Sequence, residues 1–213
     1  MAATMPGVWV APPVWSVPRE WPGERCFILC GGESLRDQRA LVPELQARII
    51  AVKHGVLLRP DADVVFFAGE RPAEIAPLCL AAFKGRYIVV RGRGHAIFPP
   101  EAKRVSRPAT HEAWCSDPTM VAGFDAGTSA INLAMHFGAR EIILLGYDMP
   151  GGRWFNGEIR HYLPQPPEKD FLAHMAPLPA LAADAKALGY RIVNCSPQSR
   201  VTCFERASLE EFL

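Results

Sequence analysis

The chain has no apolar run near the ~20 residues that a membrane-spanning helix needs. Its first 24 residues, MAATMPGVWVAPPVWSVPREWPGE, lack the basic start and apolar stretch of a secretory leader, so a cytoplasmic location is expected. Neither sign of charge dominates. The 23 Lys and Arg against 22 Asp and Glu leave a net charge of +1, which argues against nucleic acid or an acidic membrane as partner. The six cysteines, Cys26, Cys30, Cys79, Cys115, Cys195 and Cys203, include no pair at the short spacing of a zinc site. Cys26, Cys30 and Cys195 lie in or beside apolar runs, where a free thiol packs as a small apolar group. Walker lysine, nucleophile-elbow and HExxH patterns are all missing. No metal site is expected from the motifs alone.

What is present suits an ordinary globular chain. The 213 residues are 49% hydrophobic and 21% charged, enough for one domain with a core of normal size. Pro12, Pro13, Pro18 and Pro22 alternate with Trp9, Trp15 and Trp21. That reads as an irregular, extended arm over residues 1–24, ahead of a domain over 25–213. Exposed tryptophan is unfavourable, so the arm is expected to pack on the domain or on a neighbouring subunit, giving a homo-oligomer in the second case. Arg86, Arg91, Arg93, Arg104 and Arg107 form a modest basic concentration, suited to one small anionic ligand.

The remainder alternates between strand and helix signals. The runs at 26–30 (CFILC), 48–52 (RIIAV), 63–68 (DVVFFA), 86–90 (RYIVV), 141–145 (EIILL) and 190–195 (YRIVNC) are apolar without a polar alternate face, the mark of strands covered on both sides. Ser34 is placed to cap a short helix that Pro43 limits. Residues 71–84 are expected to be helical. Thr128 or Ser129 is expected to cap a helix whose inner face is Ala130, Leu133, Ala134 and Phe137, with Gly138 as its stop. Residues 169–188 are expected to be helical with a break at Pro177 or Pro179, and Ser208 to cap a closing helix. Residues 91–126 and 149–168 read as irregular, and loops this long are usually functional. The fold class is therefore α/β: a doubly wound, mainly parallel sheet with helices on both faces.

Ligands of such sheets bind beyond the carboxyl ends of the strands. Four segments emerge there. Gly31 and Gly32 follow the first strand and permit close backbone approach, and Ser34 opens the next helix. Gly127, Thr128 and Ser129 offer a polar cradle at a helix start. Gly146 and Asp148 follow the fifth run, where a carboxylate can hold a ribose hydroxyl, a metal or a turn. Ser196 follows the last strand and either shapes the turn or touches the ligand. Among six histidines, His161 lies in the irregular segment after Asp148 and has the right pKa for acid–base work. His54 and His95 also follow strands, while His136 and His174 fall within helices.

The segments CGGESL, GTSAINLAMHFGAREIILLGYDM and IVNCSPQS together resemble a Rossmann-like family. That family includes archaeal 6-hydroxymethylpterin diphosphokinase-like proteins and the bacterial lipooligosaccharide sialyltransferases that use CMP-sialic acid. Short bacteriophage proteins share the layout. The resemblance spans most of residues 25–205. It implies a nucleotide held between Gly31 and Gly32, Thr128 and Ser129, and Gly146 with Asp148, with His161 as the nearest match to a loop general base. Glu33 and Lys53-His54 stand where those enzymes usually carry asparagines, which leaves the nucleotide open.

Three functions follow as expectations. The first is glycosyl transfer from a nucleotide sugar, with the nucleotide as substrate and no cofactor. The second is pyrophosphoryl transfer from ATP to a small alcohol, with Mg²⁺ held by Asp125 and Asp148. The third is ligand binding without catalysis.

Overall fold

Strands whose two faces are both apolar must be covered twice, and the chain does this by winding outward from its own middle. The computed structural model describes residues 13–69, 72–91, 97–109, 112–149, 153–155 and 168–213. Among these residues eight strands form one sheet: β1 (Arg25–Leu29), β2 (Arg48–Val52), β3 (Val64–Phe67), β4 (Tyr87–Arg91), β5 (Lys103–Val105), β6 (Glu141–Leu145), β7 (Arg191–Asn194) and β8 (Glu205–Arg206). Their order is β5-β4-β3-β2-β1-β6-β7-β8, and each neighbouring pair is parallel. The chain steps from β1 to β5 in one direction, then returns beside β1 as β6 and steps the other way. The direction reverses between β1 and β6, so the loops leaving these two strands diverge and open a crevice.

Among the described residues, five α-helices accompany the strands: α1 (Leu35–Gln38), α2 (Pro72–Ala82), α3 (Ala126–Phe137), α4 (Glu168–Met175) and α5 (Leu178–Ala187). Ile28, Ile50, Phe66 and Leu144 face α3 and α5 on one side of the sheet. Phe27, Leu29, Val65 and Ile143 face α1, α2 and the C-terminal turn on the other. The expected doubly wound, Rossmann-like α/β architecture with helices on both faces is the one observed. Among the described residues, no helix is long and apolar enough to cross a membrane.

Several local expectations are corrected. The helix α3 starts earlier than Thr128. Asp125 is its N-cap, with extended backbone and a carboxylate accepting the Thr128 N–H at 2.9 Å. Within the stretch read as irregular, β5 adds a strand to the sheet edge. The two-residue β8 was also unforeseen. The C-terminal helix is a 3-10 turn over Leu209–Phe212, held by the Glu211 carboxylate reaching back to the Ser208 N–H at 3.0 Å. The arginine concentration is divided: Arg86 precedes β4 and pairs with Glu20, while Arg91 ends β4, one strand length away.

The helix α3 was expected to bury one face. Instead Gly127–Phe137 is buried throughout. A strap of chain covers its outer side. Asn132, fully buried, accepts the N–H groups of Cys115 (3.1 Å) and Ala122 (3.3 Å) and donates to the Ala113 carbonyl (2.5 Å). His136 Nε2 lies 2.9 Å from the Met120 carbonyl. The arm completes the cover. Trp21 is buried, its ring stacks on that of Phe137 with centroids 3.9 Å apart, and its backbone N–H donates to the Phe137 carbonyl at 2.7 Å. Such a ring pair contributes about 0.5–1.5 kcal/mol beyond area burial.

Candidate functional site

The crevice between the β1 and β6 loops is an open cleft of about 210 Å³. Cys30, Gly31 and Gly32 border it from β1, Val52, Lys53 and His54 from β2, and Gly146 to Met149 from β6. Asp125, Ala126 and Gly127 border it from the first turn of α3, and Phe171 of α4 and Phe155 add aromatic wall. Because the sheet is parallel, all these strand ends meet at one edge. The two sequence segments around Gly31 and around Gly127 border this one cleft.

The β6 end is latched to the β1 loop. Asp148 accepts the Ser34 backbone N–H at 2.8 Å and the Ser34 hydroxyl on its other oxygen. Ser34 thus spends its side chain on Asp148 rather than on capping α1. Gly32 lies inside this latch. Its N–H donates to the Gly146 carbonyl at 2.8 Å, and a Cβ there would fall 2.5 Å from both that carbonyl and Asp148 Oδ2. Glycine is needed at 32 to let the two loops close on each other, whatever the ligand does.

The α3 start is a second network. Thr128 Oγ1 donates to Asp125 and lies 2.8 Å from Tyr147 Oη. The Tyr147 ring fills the space where a Gly127 side chain would stand, with a Cβ only 2.4 Å from Cε2. Burial pushes the Tyr147 hydroxyl well above its ordinary pKa. Ser129 is fully buried, donates to the Asp125 carbonyl at 2.8 Å and accepts from Arg91. Arg91 also donates to the Gly123 carbonyl at 2.6 Å, and burial, reinforced by Arg107, lowers its pKa to about 10.

The residues read from sequence therefore divide into two groups. Gly31, Gly32, Gly127, Gly146 and Asp148 line the cleft. Ser34, Thr128, Ser129 and Ser196 are buried behind it and bonded to protein groups. Ser196 accepts the Tyr147 N–H at 2.8 Å, holding the β6 end to the β7 end. His161 and His95 lie outside the described residues. The two carboxylates weighed for a metal, Asp125 and Asp148, both border the cleft, each bonded to protein donors. Among the described residues, no three His, Cys, Asp or Glu side chains gather as a metal-binding group.

Sequence reasoning missed Tyr147 and the aromatic pair Phe155 and Phe171, and took Lys53 only as a departure from the resembling enzymes. For Lys53 and His54 the available signal was position alone, directly after RIIAV. His54 is buried, its ring 4.2 Å from that of Phe155. Burial, reinforced by Arg153 and Arg91, lowers Lys53 to a pKa of about 8, against the pull of Asp125. Among the described residues, Lys53 and Met149 are the non-glycine residues with positive φ, 51° and 33°, and both border the cleft. Left-handed backbone at such residues costs roughly 1–3 kcal/mol each and tends to cluster at working sites.

No protein-family model and no curated protein matches the chain. Solved structures match it in fold. The sialyltransferase CstII from Campylobacter jejuni, in complex with the substrate analogue cytidine-5'-monophosphate, aligns at TM-score 0.55 and 12% identity, over 88% of this chain and 86% of that one. A variant of CST-II in complex with CMP aligns at 0.55 and 13%, over 89% and 88%. CST-II in complex with a trisaccharide acceptor and CMP aligns at 0.50 and 11%, over 89% and 88%. At these identities the likeness is one of fold: the chain has the doubly wound α/β architecture of these sialyltransferases.

Proposed function

We propose that this protein binds a nucleotide in the cleft between the β1 and β6 loops and transfers a glycosyl group from a nucleotide sugar. The observation that carries the reading is the position and charge of that cleft. It lies at the topological switch point, opens onto the first turn of α3, and is bordered by Lys53 and Arg153. Backbone N–H groups at a helix start and cationic side chains suit the phosphate of a nucleotide, and the aromatic wall of Phe155 and Phe171 suits a base or sugar face. The fold likeness to sialyltransferases solved with CMP supports the same reading.

In the proposed reaction, the bond between the anomeric carbon and the phosphate oxygen breaks, and its electron pair stays on the phosphate. Cations near that oxygen stabilise the developing charge. The acceptor hydroxyl bonds to the anomeric carbon, and its proton passes to a base. His161 is the base we propose, on its sequence position after the Asp148 strand end. His161→Ala should cut turnover by about two orders of magnitude while nucleotide binding persists.

The test is thermal unfolding with CMP, UDP, GDP, ATP and nucleotide sugars, with and without Mg²⁺. A ligand at about 100 times its Kd adds about 2.7 kcal/mol. For a chain of this size that is a Tm rise of roughly 5–11 °C. A rise with a nucleotide sugar that does not need Mg²⁺ is expected. A rise with ATP alone, and only with Mg²⁺, would replace glycosyl transfer with pyrophosphoryl transfer. No rise with any nucleotide would refute the reading.

A further inference from the structure

The strand β2 ends at Val52, and the next residue enters the cleft with its backbone in the left-handed region, φ 51°. The Lys53 ammonium lies toward the end of β3, 3.8 Å from where a Cβ on Gly69 would sit. Among the described residues it has no hydrogen-bond or ion-pair partner. The charges facing it are named by element. Arg153 follows β6 and Arg91 ends β4, both repelling it; Asp125 at the start of α3 attracts it, and Cys79 of α2, held as a neutral thiol by burial, lies on the same side. His54 beside it, with Cys30, Tyr147 and Asp148 across the cleft, completes the titratable border among the described residues. The Asp125 carboxylate is already engaged by the Thr128 N–H and hydroxyl. Two guanidiniums thus act on the ammonium, and the two carboxylates on the cleft border, Asp125 and Asp148, are both bonded to protein donors.

A partly desolvated ammonium beside two guanidiniums is unfavourable in the empty protein. It becomes favourable when an anion enters, because the ammonium then gains a short charge-assisted bond. We propose that Lys53 is the residue that grips a phosphate oxygen of the ligand, and that the space in front of it, toward Arg153, is the phosphate subsite of the cleft. The owner of that phosphate as a nucleotide rests on the function proposed above; the anion site itself does not.

Protonation follows from the same geometry. Burial and the arginines hold free Lys53 at a pKa of about 8. Below that pH it is charged and the subsite is complete. As pH rises through about 8 the ammonium loses its proton, and affinity for the anion falls with it. A bound phosphate favours the charged form, so binding above pH 8 takes up a proton.

The experiment is calorimetric titration of pyrophosphate, cytidine and the nucleotides of the screen into wild type, Lys53→Met and Lys53→Arg, from pH 6.5 to 9.5. Wild type should bind pyrophosphate and at least one nucleotide, with affinity falling about tenfold per pH unit above about 8. K53M should bind both roughly ten- to a hundredfold more weakly at pH 7 and show no such break. K53R, charged throughout, should bind without the break. Free of ligand, K53M should melt higher than wild type, since it removes an unpaired desolvated charge. Pyrophosphate that binds K53M within threefold of wild type, or a wild-type profile flat across pH 8, overturns the proposal. Should K53M not fold, the wild-type profile against K53R still decides. Nucleotide binding that ignores K53M leaves the nucleotide reading standing and removes Lys53. Lys53-dependent pyrophosphate binding with no nucleotide binding keeps the anion site and removes the nucleotide reading.

Discussion

Removing the Ser34 hydroxyl tests whether the cleft is built by a latch or merely bordered by polar groups. Ser34 and Asp148 stand 114 positions apart in sequence, and are 1% and 5% exposed. The carboxylate takes two bonds from Ser34, one from the backbone N–H at 2.8 Å and one from the hydroxyl. Ser34→Ala deletes the second and keeps the first. A hydrogen bond to a charged group contributes about 1.5–3 kcal/mol, and a buried carboxylate left under-satisfied adds to the loss. At roughly 2–4 °C per kcal/mol for a chain of this length, Tm should fall by about 3–12 °C. Urea unfolding of wild type, S34A, D148N and the double variant then gives the coupling between the two side chains, expected at about 1 kcal/mol or more. An S34A protein that melts within a degree of wild type, with additive effects in the cycle, would refute the latch. So would an S34A protein of normal stability that no longer binds ligand, because Ser34 would then serve the ligand rather than Asp148.

Gly32→Ala places a Cβ against the Gly146 carbonyl and Asp148, so it should cost about 1–3 kcal/mol or more in urea unfolding even without ligand; unchanged stability would show that the loops part easily. Trp21→Ala should cost roughly 3–5 kcal/mol and release the arm, read as proteolytic cleavage ahead of β1; full resistance to protease would contradict the packing of Trp21 on Phe137. Burial lowers the pKa of His136, so the unfolded chain binds its proton first as pH falls. The stability this group supports is present above about pH 6.5 and is lost as pH drops from there through the folded-state value. His136→Gln should flatten the decline in Tm below pH 6.5, and an unaltered slope would assign that decline to other groups.

Much of the fold could be read locally. The runs RIIAV and EIILL are strands at 48–52 and 141–145, as their unbroken apolar character requires. Helical periodicity between such runs implies crossovers, crossovers imply parallel pairing, and parallel pairing puts every strand's carboxyl end on one edge. That chain of reasoning placed Gly31, Gly127 and Asp148 around one cleft. Local pattern failed where signals were short or ambiguous. Two- and three-residue strands such as β8 and β5 are too short to show a period. Asp125, Thr128 and Ser129 are all acceptable caps, and extended backbone at Asp125 chose among them. Other features were never local. Asn132 could not announce the irregular strap it pins, nor Ser34 its bond to Asp148 over a hundred positions away, because hydrogen bonds outside regular elements leave no periodic trace. The lowered pKa of Lys53 belongs to no segment either: it arises when the ends of β2 and β4, the start of α3 and the loop after β6 exclude water from one ammonium together.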